Sequence, residues 1–322
     1  MNFLKTLQVY KLIIALFLIL VNMGCGSSRK TVTTPENSPL EKTLLWRITG
    51  NGMTQPSYLF GTIHVLCKED ALLSDSLRSA IRRSQGIYFE VDMDNLVEMM
   101  GAMTGMKMKN DTTLADLLDK ENYQKVKAYF TEKGGLLPFS MLEQYKPFLA
   151  ASTLMQDNLP CDQNIAMEQV IMNEAKKNKK KINGLETLAY QMSIFDSIPY
   201  KQQADLLVRY IDADTASVNT DLEDYKTMVN AYKSQDLEKL EALINQEDMG
   251  VANFEDLLLN NRNRNWVVKL KTLLRDKTFV IAVGAGHLPG KNGLIQLLRD
   301  AGYSIEPVNN QVAYKVVPVQ EI

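Results

Sequence analysis

Two apolar, β-forming stretches near opposite ends of the chain, Ser57–Val65 (SYLFGTIHV) and Thr278–Val283 (TFVIAV), run into the same short pattern: Gly61-Thr-Ile-His64 and Gly284-Ala-Gly-His287. These are the only two histidines in 322 residues. In open α/β sheets ligands bind beyond the carboxyl ends of strands, where side chains project into a crevice. Glycine three residues earlier lets the backbone bend or approach another group closely, and imidazole supplies a borderline-soft ligand or an acid/base near neutrality. The pattern therefore asks for a fold that brings residues 64 and 287 to one crevice.

The rest of the chain reads as a scaffold for that. Leu44–Thr49, the Gly50-Asn51-Gly52 turn and Ser57–Val65 form a predicted hairpin. Ser74–Gln85 is a predicted helix capped by Ser74, with Leu77, Ala80 and Ile81 on one face, and Gly86–Asp92 (GIYFEVD) is a strand, completing a strand–helix–strand unit. From Met93 to about Asn265 the pattern is helical, broken at Gly134-Gly135, Pro147, Pro160, Gly184 and Pro199. One short strand, Lys181–Leu185, interrupts it and carries Glu186. Thr113 and Asp116 open a helix over Leu114–Thr131 as a capping box would. The methionines at 93, 99, 100, 103, 106 and 108 are read as a flexible apolar packing helix over a groove rather than a metal tract. Helix Asn265–Arg275, strand Thr278–Val283, loop Gly284–Gly290, helix Lys291–Ala301, strand Tyr303–Val308 and a last strand Val312–Val319 return to α/β. The expectation is one α/β domain over residues 41–322: a mixed sheet built from the N- and C-terminal parts, with a large helical middle section forming a cap.

Lys5 and Lys11 precede ten apolar residues, Leu12–Val21, and small residues follow, so residues 1–24 read as a secretory signal peptide. The run is short for a bilayer span, which needs roughly 20 apolar residues. Cys25 directly after Gly24 resembles the bacterial lipoprotein box, which makes it the expected lipidation residue, with a simple cleaved signal as the second reading. Residues 25–40, rich in Ser, Thr and Pro, then form a flexible tether to a membrane, and the protein is expected in the cell envelope. Cys67 and Cys161 could pair in such an oxidising compartment, but far apart and outside any CxxC they make no disulfide framework, and no bridge between them is expected. With 36 Lys and Arg against 38 Asp and Glu, a formal charge of -2, there is no basic footprint for nucleic acid.

Glu90 interrupts the apolar strand Ile87-Tyr-Phe-Glu-Val, where alternation places it on one face with Tyr88 and Asp92. If that face is covered, the carboxylate needs a cation. Two imidazoles and a carboxylate make the commonest open metal site, so His64, His287 and Glu90 are the candidate metal ligands. Taken singly, each is more simply a hydrogen-bonded structural histidine or a solvated strand glutamate. Arg262 could grip a peptide carboxylate or hold Glu90 in place; the plain alternative is a solvated helix charge. Nucleotide motifs fail: after Gly284-Ala-Gly286 the third glycine place holds Pro289, and the P-loop pattern is absent. HExxH and GxSxG are also absent. His64-x-x-Cys67 has ligand-like spacing but no second pair to complete it.

In order, Leu44-Leu-Trp-Arg-Ile, Tyr58-Leu-Phe-Gly-Thr-Ile-His64, Phe89-Glu90-Val-Asp92, Gly184-Leu-Glu-Thr187, Arg262-Asn-x-x-Trp266 and Val283-Gly-Ala-Gly-His287-Leu-Pro-Gly290 resemble the TraB/PrgY/GumN family, to which the Tiki proteins are related, over about residues 41–310. The resemblance implies paired GxxH histidines, an acidic residue and an arginine gathered in one site, at His64, His287, Glu90 and Arg262. It implies a divalent metal (manganese, cobalt or zinc) and peptide hydrolysis; in the scheme that follows, Glu90 moves the proton if it is not a ligand, otherwise Glu186 does, and Arg262 orients substrate or the developing oxyanion. Asn263 stands where that arginine is often followed by Asp, and Glu168 where many members have Asp. The competing readings are a non-catalytic envelope lipoprotein that binds a peptide or other ligand in the same cleft, and a scaffold in which the histidines are structural.

Overall fold

In the computed structural model, the described residues are 40–312 apart from 134–137, 158–160, 162, 216–219 and 247–253. The proposed signal, Cys25, most of the tether and the Val312–Val319 strand lie outside them.

The hairpin forms as read: β1 (Leu45–Gly50) pairs antiparallel with β2 (Ser57–Thr62), Leu45 opposite Phe60. Positive φ at Gly50, Asn51 and Gly52 makes the turn. Strand β3 (Leu66–Cys67) follows, then the helix Asp75–Arg83, whose first turn is capped by Ser74 accepting from the Leu77 amide. Strand β4 (Gly86–Phe89) comes next. It is shorter than expected: it stops at Phe89, so Glu90 is not one of an alternating row but the first residue beyond the strand. The reason is that the Glu90 carbonyl accepts from the Glu186 amide and its carboxylate from the Gly284 amide, bonds that turn it out of a regular ladder.

Strand β5 (Asn164–Ile165) is a second interruption of the helical section that the pattern did not indicate; it pairs antiparallel with β3, Cys67 opposite Asn164. This pairing brings Cys67 and Cys161 together in a disulfide, Cα–Cα 5.8 Å, against the expectation of none. Spacing along the chain could not show it, because the contact is created by a two-residue ribbon. Strands β6 (Lys181–Gly184), β7 (Phe279–Gly284) and β8 (Tyr303–Pro307) complete a sheet of order β6-β4-β7-β2-β1-β8. Neighbours β6, β4, β7 and β2 are mutually parallel; β1 is antiparallel to β2 and β8. Fully buried Ile87, Val280, Ile281, Ala282 and Val283 show why these strands read as continuous apolar runs: both faces are covered.

The capping box at Thr113 is present, but the expected single helix is two, Leu114–Leu117 and Lys120–Lys133. The helical section has its own core, in which Leu114, Val126, Ala150, Ala204, Leu207 and Ile211 are fully buried. Lys146, 1% exposed, fastens it by donating to the Met192 carbonyl and pairing with Asp196. The methionine segment forms the helix Leu96–Ala102 and a 3-10 turn; Met108 is buried, but Leu96, Val97, Met100 and Met103 face outward, so this helix packs less than expected.

Candidate functional site

All the carboxyl ends of β6, β4, β7 and β2 lie on one side of the sheet, because the strands are parallel neighbours. The residues immediately past those ends are Glu186, Glu90, His287 and His64. Sheet order therefore sets site order, which is the crevice geometry expected of a parallel sheet. Both GxxH glycines are needed for close approach. A methyl on Gly61 would stand 3.1 Å from Ala285, so the first motif leans directly on the second. A methyl on Gly284 would stand 3.2 Å from Glu90 Oε1, 3.6 Å from His287 Cδ2 and 3.8 Å from His64 Nε2. The bare glycine thus leaves a small space faced by a carboxylate and both imidazoles.

Arg262 is at the centre, on the helix Asn261–Leu273 just after a π-helical turn, Asp256–Asn260. Its Nη2 donates to Glu90 Oε2 at 2.5 Å and reaches Glu186 Oε1 at 2.8 Å; Nε donates to Glu186 Oε1 at 3.0 Å; Nη1 donates to the Leu258 carbonyl at 2.8 Å and to His287 Nε2 at 3.2 Å. Four acceptor atoms, Glu90 Oε2, Glu186 Oε1, the Leu258 carbonyl and His287 Nε2, surround the guanidinium. Arg262 therefore holds Glu90 and Glu186, with all three of its nitrogens engaged inside the site. One turn on, Trp266 donates to Glu186 Oε2, lies under the guanidinium and packs on the His287 ring. Trp266, Asn263 and Gln191, which donates to Glu90 Oε2, are site residues that the sequence reasoning missed. The Arg262-Asn-x-x-Trp266 spacing, one helical turn, was the available signal for two of them.

The two histidines are held differently. His287 is 3% exposed, and its Nδ1–H donates to Asn263 Oδ1 at 2.7 Å, which turns Nε2 toward Glu90 Oε1, 3.6 Å away. Burial, with help from the Arg262 and His64 charges, outweighs Glu90 and lowers its imidazole to about 3, so it is neutral. His64 has an exposed side chain at the mouth of the site, and its Nδ1–H donates to Glu168 Oε1 at 2.9 Å. The Glu168 charge raises it to about 9. Burial alone would raise the Glu90 carboxyl, yet the positive groups around it and the Gly284 amide hold it well below the carboxylate range. With His287 neutral, that positive charge comes from Arg262 and His64. Burial pushes Glu186 up against the opposing pull of Arg262.

Among the described residues no three His, Cys, Asp or Glu side chains already stand as a ready-made metal cage. The donor chemistry nevertheless fits an open site: His64 Nε2 and Glu90 Oε1 face the space at Gly284, where His287 presents its Cδ2 edge, and His287 Nε2 lies 3.6 Å from Glu90 Oε1. A cation entering there would displace a proton from His64 and the Arg262 contact from His287 Nε2. Cys67, tied into its disulfide, is no ligand. The structure thus gathers His64, Glu90, Glu186, Arg262 and His287 and places Glu168 behind His64.

The family model for the TraB/PrgY/gumN family matches residues 44–307. Curated relatives carry the name metalloprotease. A "Metalloprotease TIKI homolog" of Amphimedon queenslandica is 23% identical, covering 94% of this chain and 68% of that protein. "Metalloprotease TIKI1" of Homo sapiens is 25% identical, covering 90% and 67%. "Metalloprotease TIKI2" of Danio rerio is 20% identical, covering 81% and 60%. The chain spans about two thirds or less of the length of most of these relatives. No solved structure matches it.

Proposed function

The chain belongs to the TraB/PrgY/gumN family, and from that premise we propose that it is a metal-dependent, peptidase-like hydrolase of the bacterial cell envelope, acting on a peptide through its paired GxxH site. The observation that carries this reading is the convergence of His64, His287 and Glu90 on the space kept open by Gly284. His64 Nε2, His287 Nε2 and Glu90 Oε1 would hold a divalent cation such as manganese, cobalt or zinc. When bound, it supplies Lewis acidity, acidifying water and polarising a peptide carbonyl. Asn263 fixes the His287 ring so that Nε2 carries the lone pair, which Arg262 Nη1 contacts and a cation would have to take over, and Arg262 keeps Glu90 ionised. With Glu90 Oε1 holding the cation, the proton-accepting role passes to Glu186, which accepts from Arg262 and Trp266 and whose carboxyl is pushed up by burial.

Export is supported by the charged and apolar N-terminal pattern and by the Cys67–Cys161 bridge, a bond that persists in oxidising compartments. Cys25 is the proposed lipid attachment. A non-catalytic ligand-capturing lipoprotein is the second reading; it is favoured by the Arg262 contact that already satisfies His287 Nε2. Elemental analysis of the purified mature protein, with peptide-library cleavage measured with and without chelator, separates them. Metal content and chelator-sensitive cleavage support the hydrolase. Peptide binding that survives chelation without product release supports capture.

A further inference from the structure

We infer that Glu168 is the positioning residue of His64, fixing the imidazole with Nδ1 protonated so that Nε2 is the atom presented to the crevice. The inference rests on the proposed role of His64 as a metal ligand and names the group that makes it one.

His64 stands on a short loop between β2 and β3, with its side chain 68% exposed. Such an imidazole would ordinarily sample several rotamers and both tautomers. Here it is held from behind. Glu168 Oε1 accepts from His64 Nδ1 at 2.9 Å and from Thr62 Oγ1 at 2.5 Å, and Glu168 is 5% exposed. An ionised carboxylate is an acceptor only, so the nitrogen facing it must carry the proton. Backbone geometry places the pair: β3 and β5 form a two-stranded ribbon, Met167 N donates to the Ile63 carbonyl at 3.1 Å, and Glu168 follows as the second residue of the helix Met167–Lys177. The Cys67–Cys161 disulfide closes the same ribbon.

A carboxylate placed only for structure would have both oxygens bonded. Among the described residues Glu168 Oε2 is the one buried side-chain oxygen or nitrogen without a hydrogen-bond partner. Leaving such a group unpaired carries a desolvation penalty, which the fold bears while Oε1 takes two donors. Asn263 Oδ1 does the same for His287 from the neutral side, so each GxxH histidine has its own Nδ1 acceptor and turns Nε2 inward. Metal-ligating imidazoles are held in this way by outer acceptors.

The test uses full-length mature protein with labelled imidazole nitrogens, read by NMR without metal at alkaline pH, where the His64 ring is neutral, together with Co²⁺ titration. Wild type is expected to show the Nδ1–H tautomer of His64. Glu168→Ala should shift it to the Nε2–H form and weaken Co²⁺ binding about ten- to a hundredfold. Glu168→Gln, whose amide oxygen still accepts, should restore the tautomer and most of the affinity, which a merely structural role would not require. A wild-type Nε2–H tautomer overturns the inference, as does a Glu168→Ala protein with unchanged tautomer and affinity. Should Glu168→Ala not fold, the wild-type and Gln spectra decide alone. A wild type that binds no Co²⁺ defeats the proposed hydrolase while the tautomer still decides the role of Glu168.

Discussion

Nη2 of Arg262 lies 2.5 Å from Oε2 of Glu90, and both side chains are more than nine-tenths buried. Removing one partner of a buried ion pair leaves an uncompensated charge, at a cost of about 3–5 kcal/mol. Here Glu186 would lose its cation as well, keeping only the Trp266 donor. Arg262→Met should therefore be strongly destabilised in urea unfolding, and Arg262→Lys should recover only part of the loss, because an ammonium cannot reproduce the guanidinium's fork of donors to four acceptors. Wild-type stability in Arg262→Met would contradict this account.

The two histidines should separate function from stability. His64 is exposed and His287 lies in the core. Alanine at either position should abolish Co²⁺ binding and any peptide cleavage. His287→Ala should also leave a cavity against Trp266 and an unpaired Asn263 Oδ1, whereas His64→Ala creates no cavity and should lower the melting temperature only through loss of its Glu168 pairing. A double alanine variant with full turnover would end the proposed mechanism.

Gly284→Ala is a small change with a local prediction. Its φ of -48° suits alanine, so the backbone tolerates it. The methyl would occupy the space between Glu90 and the two imidazoles. Stability should fall by about 1 kcal/mol, whereas Co²⁺ affinity should drop about tenfold or more. Calorimetric titration beside thermal unfolding would distinguish the two effects.

Stability should depend on pH in opposite senses at the two rings. Burial lowers His287 from 6.5 to about 3, so the unfolded chain binds a proton that the folded one refuses. Its contribution is complete above 6.5 and declines as pH falls from 6.5 to about 3. Glu168 raises His64 from 6.5 to about 9, so that contribution is complete below 6.5 and is lost as pH rises through 9. In chelator, His287→Asn should flatten the acid limb of the stability profile and His64→Asn the alkaline limb.

Replacing Cys67 and Cys161 together by serine should cost about 2–4 kcal/mol, mainly by freeing the long loop between them. Because the bridge closes the ribbon that sets Glu168 behind His64, Co²⁺ affinity should fall with it. Unchanged affinity in the reduced protein would show that the ribbon holds its register unaided.

Much of this was legible in local pattern. Ser74 as a helix cap, the Gly50–Gly52 turn, β2 and β7 as apolar runs, and the short strand ahead of Glu186 are all set by nearest neighbours in the chain, where propensity and turn chemistry act. The pairing of His64 with His287 was legible for a similar reason: each follows the same glycine spacing at a strand end. What failed were features made by long-range contacts. Glu90 left the strand because the Gly284 amide at the end of β7 and the Glu186 amide just past β6 claimed it, the Leu114–Thr131 helix split, and β5 formed only because β3 offered an edge.

By itself, then, the sequence determined the α/β class, the strands' order along the chain and the residue types able to do chemistry. Sheet order, the four acceptors around Arg262, the contrast between a charged His64 and a neutral His287, and the disulfide were decided only by tertiary structure. The physical reason is that burial and the identity of a hydrogen-bond partner are properties of space: Glu168 and His64 are 104 positions apart in the chain (168 − 64) and 2.9 Å apart in the fold.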